Sequence, residues 1–90
     1  MATNLHAIVN ATRTAARLVN DIASYKRVIA DAERENAAAA RMLRAGTMCP
    51  DDAAHIRGLA QGNWIRATAR LRSAELKLAA AQAILDSNPL

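Results

Sequence analysis

The residues with the most potential for chemistry lie in one short stretch near the middle of the chain. Cys49 directly precedes Pro50, Asp51 and Asp52, and His55 follows in the next turn of a predicted helix. A thiol at the start of a helix can act as a nucleophile when a histidine lies within hydrogen-bonding reach. Six residues of helix separate Cys49 from His55 and put them on different faces, so we expect no such pair. Asp51 and Asp52 are explained as negative charges favoured in a first helical turn.

No other pattern in the chain indicates catalysis or a bound cofactor. The two His and one Cys lack the paired spacing of zinc and haem sites, and one Cys cannot close a disulfide within the chain. There is no glycine-rich phosphate loop, no hydrolase nucleophile motif and no HExxH sequence. We therefore expect a protein that is not an enzyme and that holds no cofactor or metal.

Composition predicts a single all-α domain spanning residues 1–90. Hydrophobic residues make up 52% of the chain and aromatic residues only 2%, with alanine supplying much of the apolar fraction. No uninterrupted apolar run exceeds about four residues, far below the roughly 18 that a membrane span requires. The first residues lack the basic start of a signal peptide. We expect no membrane association and a cytoplasmic location, which would be the host cytoplasm for a phage-encoded chain.

One turn divides the chain into two predicted helices. Gly46 can adopt the left-handed conformation that ends a helix, and Pro50 suits the first position of the next one. The sequence predicts a first helix over about 4–45, a turn over 46–49 and a second helix over about 50–87. The result is a long antiparallel hairpin resembling a coiled coil.

Apolar residues at alternating spacings of three and four form a seam on each helix, which closes the hairpin. The seam residues are Ile8, Ala11, Ala15, Leu18, Ile22, Tyr25, Ile29, Ala32, Asn36, Ala39 and Leu43, followed by Trp64, Ala67, Leu71, Ala74, Leu78, Ala81 and Leu85.

Folding the hairpin at its turn predicts three structural contacts. Gly58 and Gly62 would pack against the run Ala37–Ala40, since small residues let two backbones approach closely. Asn36 would hydrogen-bond with Asn63 and fix the register of the helices. Tyr25 and Trp64, the two aromatic residues, serve either as core anchors or as hot spots of an interface.

A second apolar row on each helix has no partner within the hairpin. It comprises Leu5, Val9, Ala16, Val19, Ala23, Ala30, Ala37 and Ala40, then Ile65, Ala69, Leu76, Ala80, Ala83 and Ile84. Because a helix that is apolar on two sides tends to be buried on both, we expect a second copy to cover this row in a four-helix-bundle dimer. Two alternatives remain: the row is simply exposed, or it binds a different protein.

The chain carries 12 Lys and Arg against 8 Asp and Glu, a net charge of +4. Arg13, Arg27 and Arg34 recur at multiples of seven along one edge of the first helix, and Arg66 and Arg70 form a patch on the second. Arginine suits contacts to phosphate, so nucleic-acid binding is one interpretation. Acidic residues lie three or four positions from many of the arginines, which instead predicts an ordinary salt-bridged helix surface.

The turn residues Arg44, Ala45 and Gly46, with Cys49 and Pro50, resemble those of the two-helix co-chaperones of type III secretion. By size and composition the chain also resembles short phage proteins that inhibit host factors. The resemblance implies a protein-binding role, which agrees with the unpartnered row. We therefore expect a helical adaptor or inhibitor that binds through Val9, Val19, Ile65, Leu76 and Ile84, rimmed by the arginines. The alternative is an arginine-mediated nucleic-acid-binding protein.

Overall fold

The computed structural model describes residues 4–88, which form two long helices. Helix α1 spans Leu5–Arg44 and helix α2 spans Pro50–Ser87, and the described residues contain no strand. The helices pack against each other along a rod with extents of 69, 14 and 13 Å. The predicted all-α hairpin is confirmed, with α1 ending one residue earlier than expected. Residues 1–3, 89 and 90 of the predicted domain lie outside the described part.

The helix ends follow from their local sequences. The Asn4 side chain caps α1 by accepting a hydrogen bond from the backbone N–H of Ala7 at 3.0 Å. At its other end Gly46 has a φ of +73°, and its N–H and that of Thr47 bond back to the carbonyls of Leu43 and Met42. This arrangement is a Schellman motif, in which glycine takes the left-handed position without a Cβ penalty.

Helix α2 begins as the sequence predicts, with Pro50 in its first turn and Cys49 at the N-cap. Pro50 fits there because the missing N–H has no helical partner at that position. The Cys49 side chain makes no capping bond, and Asp51 and Asp52 supply the negative charge of the first turn.

Alanine fills the space between the two helices. Eight of the nine most buried residues are alanines, and they recur at multiples of seven along each helix. Leu18 is the exception, at 3% exposure. The buried residues are Ala11, Leu18, Ala32 and Ala39 of α1 and Ala53, Ala60, Ala67, Ala74 and Ala81 of α2.

The predicted seam of α1 is confirmed, since every one of its residues is buried or half-buried. Tyr25 occupies the seam position between Leu18 and Ala32 and is half-buried. In α2 the prediction fails at Trp64, which is 41% exposed, whereas Ala60 beside it is 1% exposed. Trp64 keeps the repeat position of the half-buried Leu71, Leu78 and Leu85, but its side chain lies more exposed at the margin of the seam.

The predicted glycine contact is wrong. A Cβ placed on Gly58 would meet no atom within 4 Å, and one on Gly62 would meet only the side chain of Arg66. Both glycines lie away from α1, because the alanine line through Ala53 and Ala60 is the part of α2 that faces it. Close approach of the helices therefore depends on alanines and not on these glycines.

The alanine seam leaves the hairpin with a thin core. Among the described residues, no large side chain is fully buried. Apart from Leu18, the leucines and isoleucines of the seam are only half-buried, and ten other large apolar side chains are exposed by 40% or more. The two helices alone therefore leave much of their large apolar surface in contact with water.

Candidate interaction surfaces

The hairpin has two broad faces, one on each side of the alanine seam. In an antiparallel pair, residues at equivalent positions of the seven-residue repeat lie on the same side of the seam. Two hydrogen bonds between the helices agree with this placement. Arg57 Nε donates to Asn36 Oδ1 at 3.1 Å, and Trp64 Nε1 donates to Glu33 Oε1 at 3.2 Å.

The first face, which we call the apolar face, lies on the side of these two bonds. Its central residues follow the buried positions by four, are half-buried, and are mostly isoleucine or leucine. Exposed aliphatic residues border them, together with the charged Lys26, Arg72 and Glu75. The central residues are Ile8, Ile22, Ile29 and Leu43 of α1 and Leu71, Leu78 and Leu85 of α2, and the aliphatic border comprises Leu5, Val9, Val19 and Ile65.

Towards the turn, polar and aromatic side chains replace most of the leucines and isoleucines of the apolar face. An open cleft of about 370 Å³ lies between the helices there, and Trp64 and Arg57 line it on the α2 side. Glu33 and Asn36 line it on the α1 side, each bonded to one of those two residues as described. Tryptophan and arginine are the residue types that most often dominate binding at protein interfaces. Trp64, at 41% exposure, is less buried than a core anchor would be.

The predicted bond between Asn36 and Asn63 does not form. Asn36 follows Ala32 by four residues and accepts from Arg57, whereas Asn63 follows Ala60 by three and accepts from Arg66 at 2.8 Å. The two asparagines therefore lie on opposite faces of the hairpin. Two other hydrogen bonds join the helices at this level, from Arg57 to Asn36 and from Trp64 to Glu33, and neither was predicted from the sequence.

The opposite face, which we call the polar face, carries mostly charged and polar side chains. A cleft of about 160 Å³ on this face is lined by residues of both helices. A second cleft, near the chain ends, is lined by Lys77 and Ile84 among others. The polar face comprises Arg17, Asp21, Asp31, Glu35, Asn63, Arg66, Arg70, Ser73 and Lys77, with Val28, Met42, Ile56, Leu59 and Ile84 as its large apolar residues.

The predicted partner-binding residues do not form one surface. Val9, Val19 and Ile65 lie together along the apolar face, 44 to 55% exposed. Leu76 is 70% exposed on the outer side of α2, two positions after the buried Ala74. Ile84 lines a cleft of the polar face. The predicted row of α2 is therefore wrong as a single face, because its residues turn around the helix relative to the alanine line.

The predicted arginines are likewise divided. Arg13, Arg27 and Arg34 each follow a seam position by two residues and lie exposed along the outer edge of α1. Arg66 and Arg70 lie on the polar face, away from Val9 and Val19. They therefore do not rim the apolar residues with which the sequence analysis grouped them.

The predicted salt-bridged surface is mostly missing. All charged side chains of the chain lie within residues 4–88, and in that range the one ion pair joins Arg34 to Asp31. Within residues 4–88, no other Lys or Arg side chain, Arg17, Arg70 and Lys77 included, has an acidic side chain within ion-pair distance. Much of the positive charge is therefore available to an external anion.

The remaining candidates for chemistry are Cys49, His55 and groups of side chains that could ligate a metal. Cys49 and His55 are both exposed, and no three His, Cys, Asp or Glu side chains in residues 4–88 group as metal ligands would. Neither described helix has an apolar stretch long enough to cross a membrane.

One sequence signal could have located both faces. Alanine recurs every seven residues from Ala53 to Ala81, and placing this line at the centre of α2 puts Trp64 and Leu78 to one side and Arg70 to the other.

Comparison of the chain with protein-family models, with curated proteins and with solved structures finds no match.

Proposed function

We propose that this hairpin is a non-enzymatic protein-binding module whose apolar face is covered by a second copy of the chain in an antiparallel four-helix bundle. One observation carries the proposal. Most of the large apolar side chains lie on one face of the hairpin, half-buried or exposed, whereas the most buried positions between the helices are nearly all alanine. A hairpin of this kind completes its core only when another apolar surface covers that face.

The free energy available at this face supports such an assembly. Val19 and Ile65 are 55% and 54% exposed, and the leucines between them are half-buried. Covering a fully exposed side chain of this size is worth about 1.5–3 kcal/mol, so several half-covered residues together supply a substantial driving force. Association must also offset lost translational and rotational freedom, which only a large interface can do.

The size of the face matches what a stable dimer requires. The Cα trace of the whole hairpin measures 69 by 14 Å in projection, about 1,000 Å², which sets the scale of a face that runs along it. Specific protein interfaces bury about 800 Å² on each partner. A second copy supplies the same apolar face and the same charged border, as a twofold symmetric dimer requires.

The resulting bundle would keep its arginines outside. Arg13 and Arg27 on the outer edge of α1 would remain free to contact the carboxylates of a target protein, to which arginine can bond in a bidentate manner, whereas Arg34 on the same edge already pairs with Asp31. A compact bundle with arginine edges and no catalytic residues suits an adaptor or an inhibitor that acts by occupying a target surface.

Two valines of α1 offer a matched test. Val19 lies on the apolar face and Val28 on the polar face, and they are 55% and 40% exposed. We expect Val19→Glu to raise the dimer dissociation constant at least about tenfold, because a carboxylate would be buried without a partner. Val28→Glu should leave it within about twofold. Sedimentation equilibrium measures both, and equal effects of the two substitutions would contradict the proposal.

A second candidate function, nucleic-acid binding, rests on the scarcity of ion pairs. Of the 12 Lys and Arg residues, all within residues 4–88, Arg34 alone contacts an acidic side chain of that range within ion-pair distance. Phosphate contacts by such cations would make affinity fall steeply with salt. A titration of single- and double-stranded oligonucleotides at increasing salt tests this function, and absence of binding at low salt would exclude it.

A further inference from the structure

The polar face carries a cluster of cations that the proposed protein-binding role does not use. Arg17 of α1 and Arg70 and Lys77 of α2 line the cleft of about 160 Å³ between the helices, together with Asp21. Three positive charges against one negative charge leave the cleft with a net charge of +2. None of the four side chains makes an ion pair within the described residues.

The residues that line the cleft favour the binding of an anion. Its floor is formed by Leu18 and Ala74, which are 3% and 5% exposed, so one side of the cleft is closed and apolar. A low-dielectric wall concentrates the field of nearby charges towards the opening. Tyr25 and Ser73, which also line the cleft, bring hydroxyl groups that can donate hydrogen bonds.

We infer that this cleft is a binding site for a phosphate group, held by Arg17 and Arg70 with Lys77 as a third cation. Guanidinium groups match the geometry of phosphate oxygens and bond to them in pairs, and the lysine adds a point charge. Arg70 and Lys77 are two helical turns apart, about 10 Å along α2, so their long side chains can approach a diphosphate from both ends. Asp21 opposes this binding and limits its strength.

The site is tested by isothermal titration of the full chain with inorganic pyrophosphate at constant ionic strength. We expect saturable binding with one site per chain. Arg17→Gln and Arg70→Gln should each weaken it about five- to tenfold, because each removes charge-assisted hydrogen bonds. Asp21→Asn should strengthen it about threefold, because it removes the one negative charge that faces the ligand.

Two substitutions of the same type serve as matched controls. Arg72→Gln and Asp86→Asn change the net charge by the same amounts but affect residues that do not line this cleft. We expect both to stay within about twofold of the native affinity. Absence of saturable binding, or equal effects of the cleft and control substitutions, would overturn the assignment.

An oligonucleotide added to the pyrophosphate complex distinguishes the source of the phosphate. Displacement of pyrophosphate that depends on Arg70 would identify a nucleic-acid backbone as a ligand of this cleft. Retention of pyrophosphate would identify small phosphate compounds. Both outcomes support a phosphate site, and both are independent of the dimer contact tested at Val19.

Discussion

An Ala→Leu substitution in the seam should change the stability of this hairpin in the opposite direction from that of an ordinary coiled coil. In a coiled coil whose seam is built of leucines, such a substitution adds buried apolar surface and stabilises the helix pair. Ala60 is 1% exposed, and it lines the same cleft as Ala32, which is 3% exposed. Ala60→Leu adds three carbon atoms at a position where α2 already lies against α1. We therefore expect the substitution to destabilise the hairpin.

The magnitude follows from two opposing effects. Three added carbons would contribute about 2.4 kcal/mol of stability if they could be buried without movement, at about 0.8 kcal/mol each. Ala60 is 1% exposed against α1, so a leucine there must either push the helices apart or displace the Arg57 and Trp64 side chains from the cleft, and the seam contacts weaken in both cases. Overpacking of a filled core typically costs about 1–3 kcal/mol net. We expect a loss of about 2 kcal/mol, which lowers the melting temperature by about 10 °C for a chain of this size.

Thermal unfolding followed by circular dichroism, at one protein concentration throughout, measures this loss. Ala69→Leu is the matched control, because Ala69 is exposed on the outer side of α2. Alanine and leucine have similar helix propensities, so we expect the control to stay within about 0.5 kcal/mol of the native chain. If Ala60→Leu melted at or above the native temperature, the alanine seam would be refuted as the feature that sets the helix spacing.

Three further predictions concern the backbone and its caps. Gly58→Ala should stabilise the hairpin by about 1 kcal/mol, since the added Cβ meets open space and alanine is the better helix former; a lower urea midpoint would contradict this. Gly46→Ala should destabilise it by about 1–2 kcal/mol, because the φ of +73° disfavours a Cβ, and an unchanged urea midpoint would argue against that turn. Asn4→Ala should cost about 1 kcal/mol by removing the cap of α1. Faster amide hydrogen exchange confined to the first turn would confirm the last effect, and unchanged exchange would contradict it.

Helix bounds and the seam of α1 could be predicted because local rules decide them. Gly46 and Pro50 can each occupy only a few helix positions, so the turn between them is fixed by backbone geometry. In α1, the residues at spacings of three and four from Ile8 to Leu43 are all buried or half-buried, so the spacing of apolar residues was sufficient to locate the seam.

In α2 the predicted seam is confirmed from Ala67 to Leu85, but hydrophobicity alone could not predict the burial of its residues nearer the turn. Trp64 and Ala60 are both apolar and both fit a seven-residue repeat, yet only the smaller one is buried. The expected contact between Asn36 and Asn63 fails as well. Centring α2 on its alanines places Asn63 on the polar face, whereas Asn36 lies on the apolar face. Side-chain contacts that depend on how one helix is rotated about its axis relative to the other cannot be predicted without the structure.

The candidate surfaces show the same division. The sequence identified Val9, Val19 and Ile65 as unpartnered, and the structure places them along one face. The sequence alone did not distinguish these residues from Ile84, because the spacing of apolar residues does not show on which side of the buried alanines each residue lies. The basic cleft was not foreseen either, since Arg17 and Arg70 meet only when α1 and α2 are paired.

The mass of the native chain in solution tests the central claim most directly, namely that the apolar face is covered by a second copy. Sedimentation equilibrium over a range of micromolar concentrations should give a mass of about 19 kDa, twice the 9.6 kDa of one chain. Val19→Glu should shift that mass towards 9.6 kDa, and Val28→Glu should not. A native chain that stays at 9.6 kDa at every concentration, with a sharp thermal transition, would contradict the account.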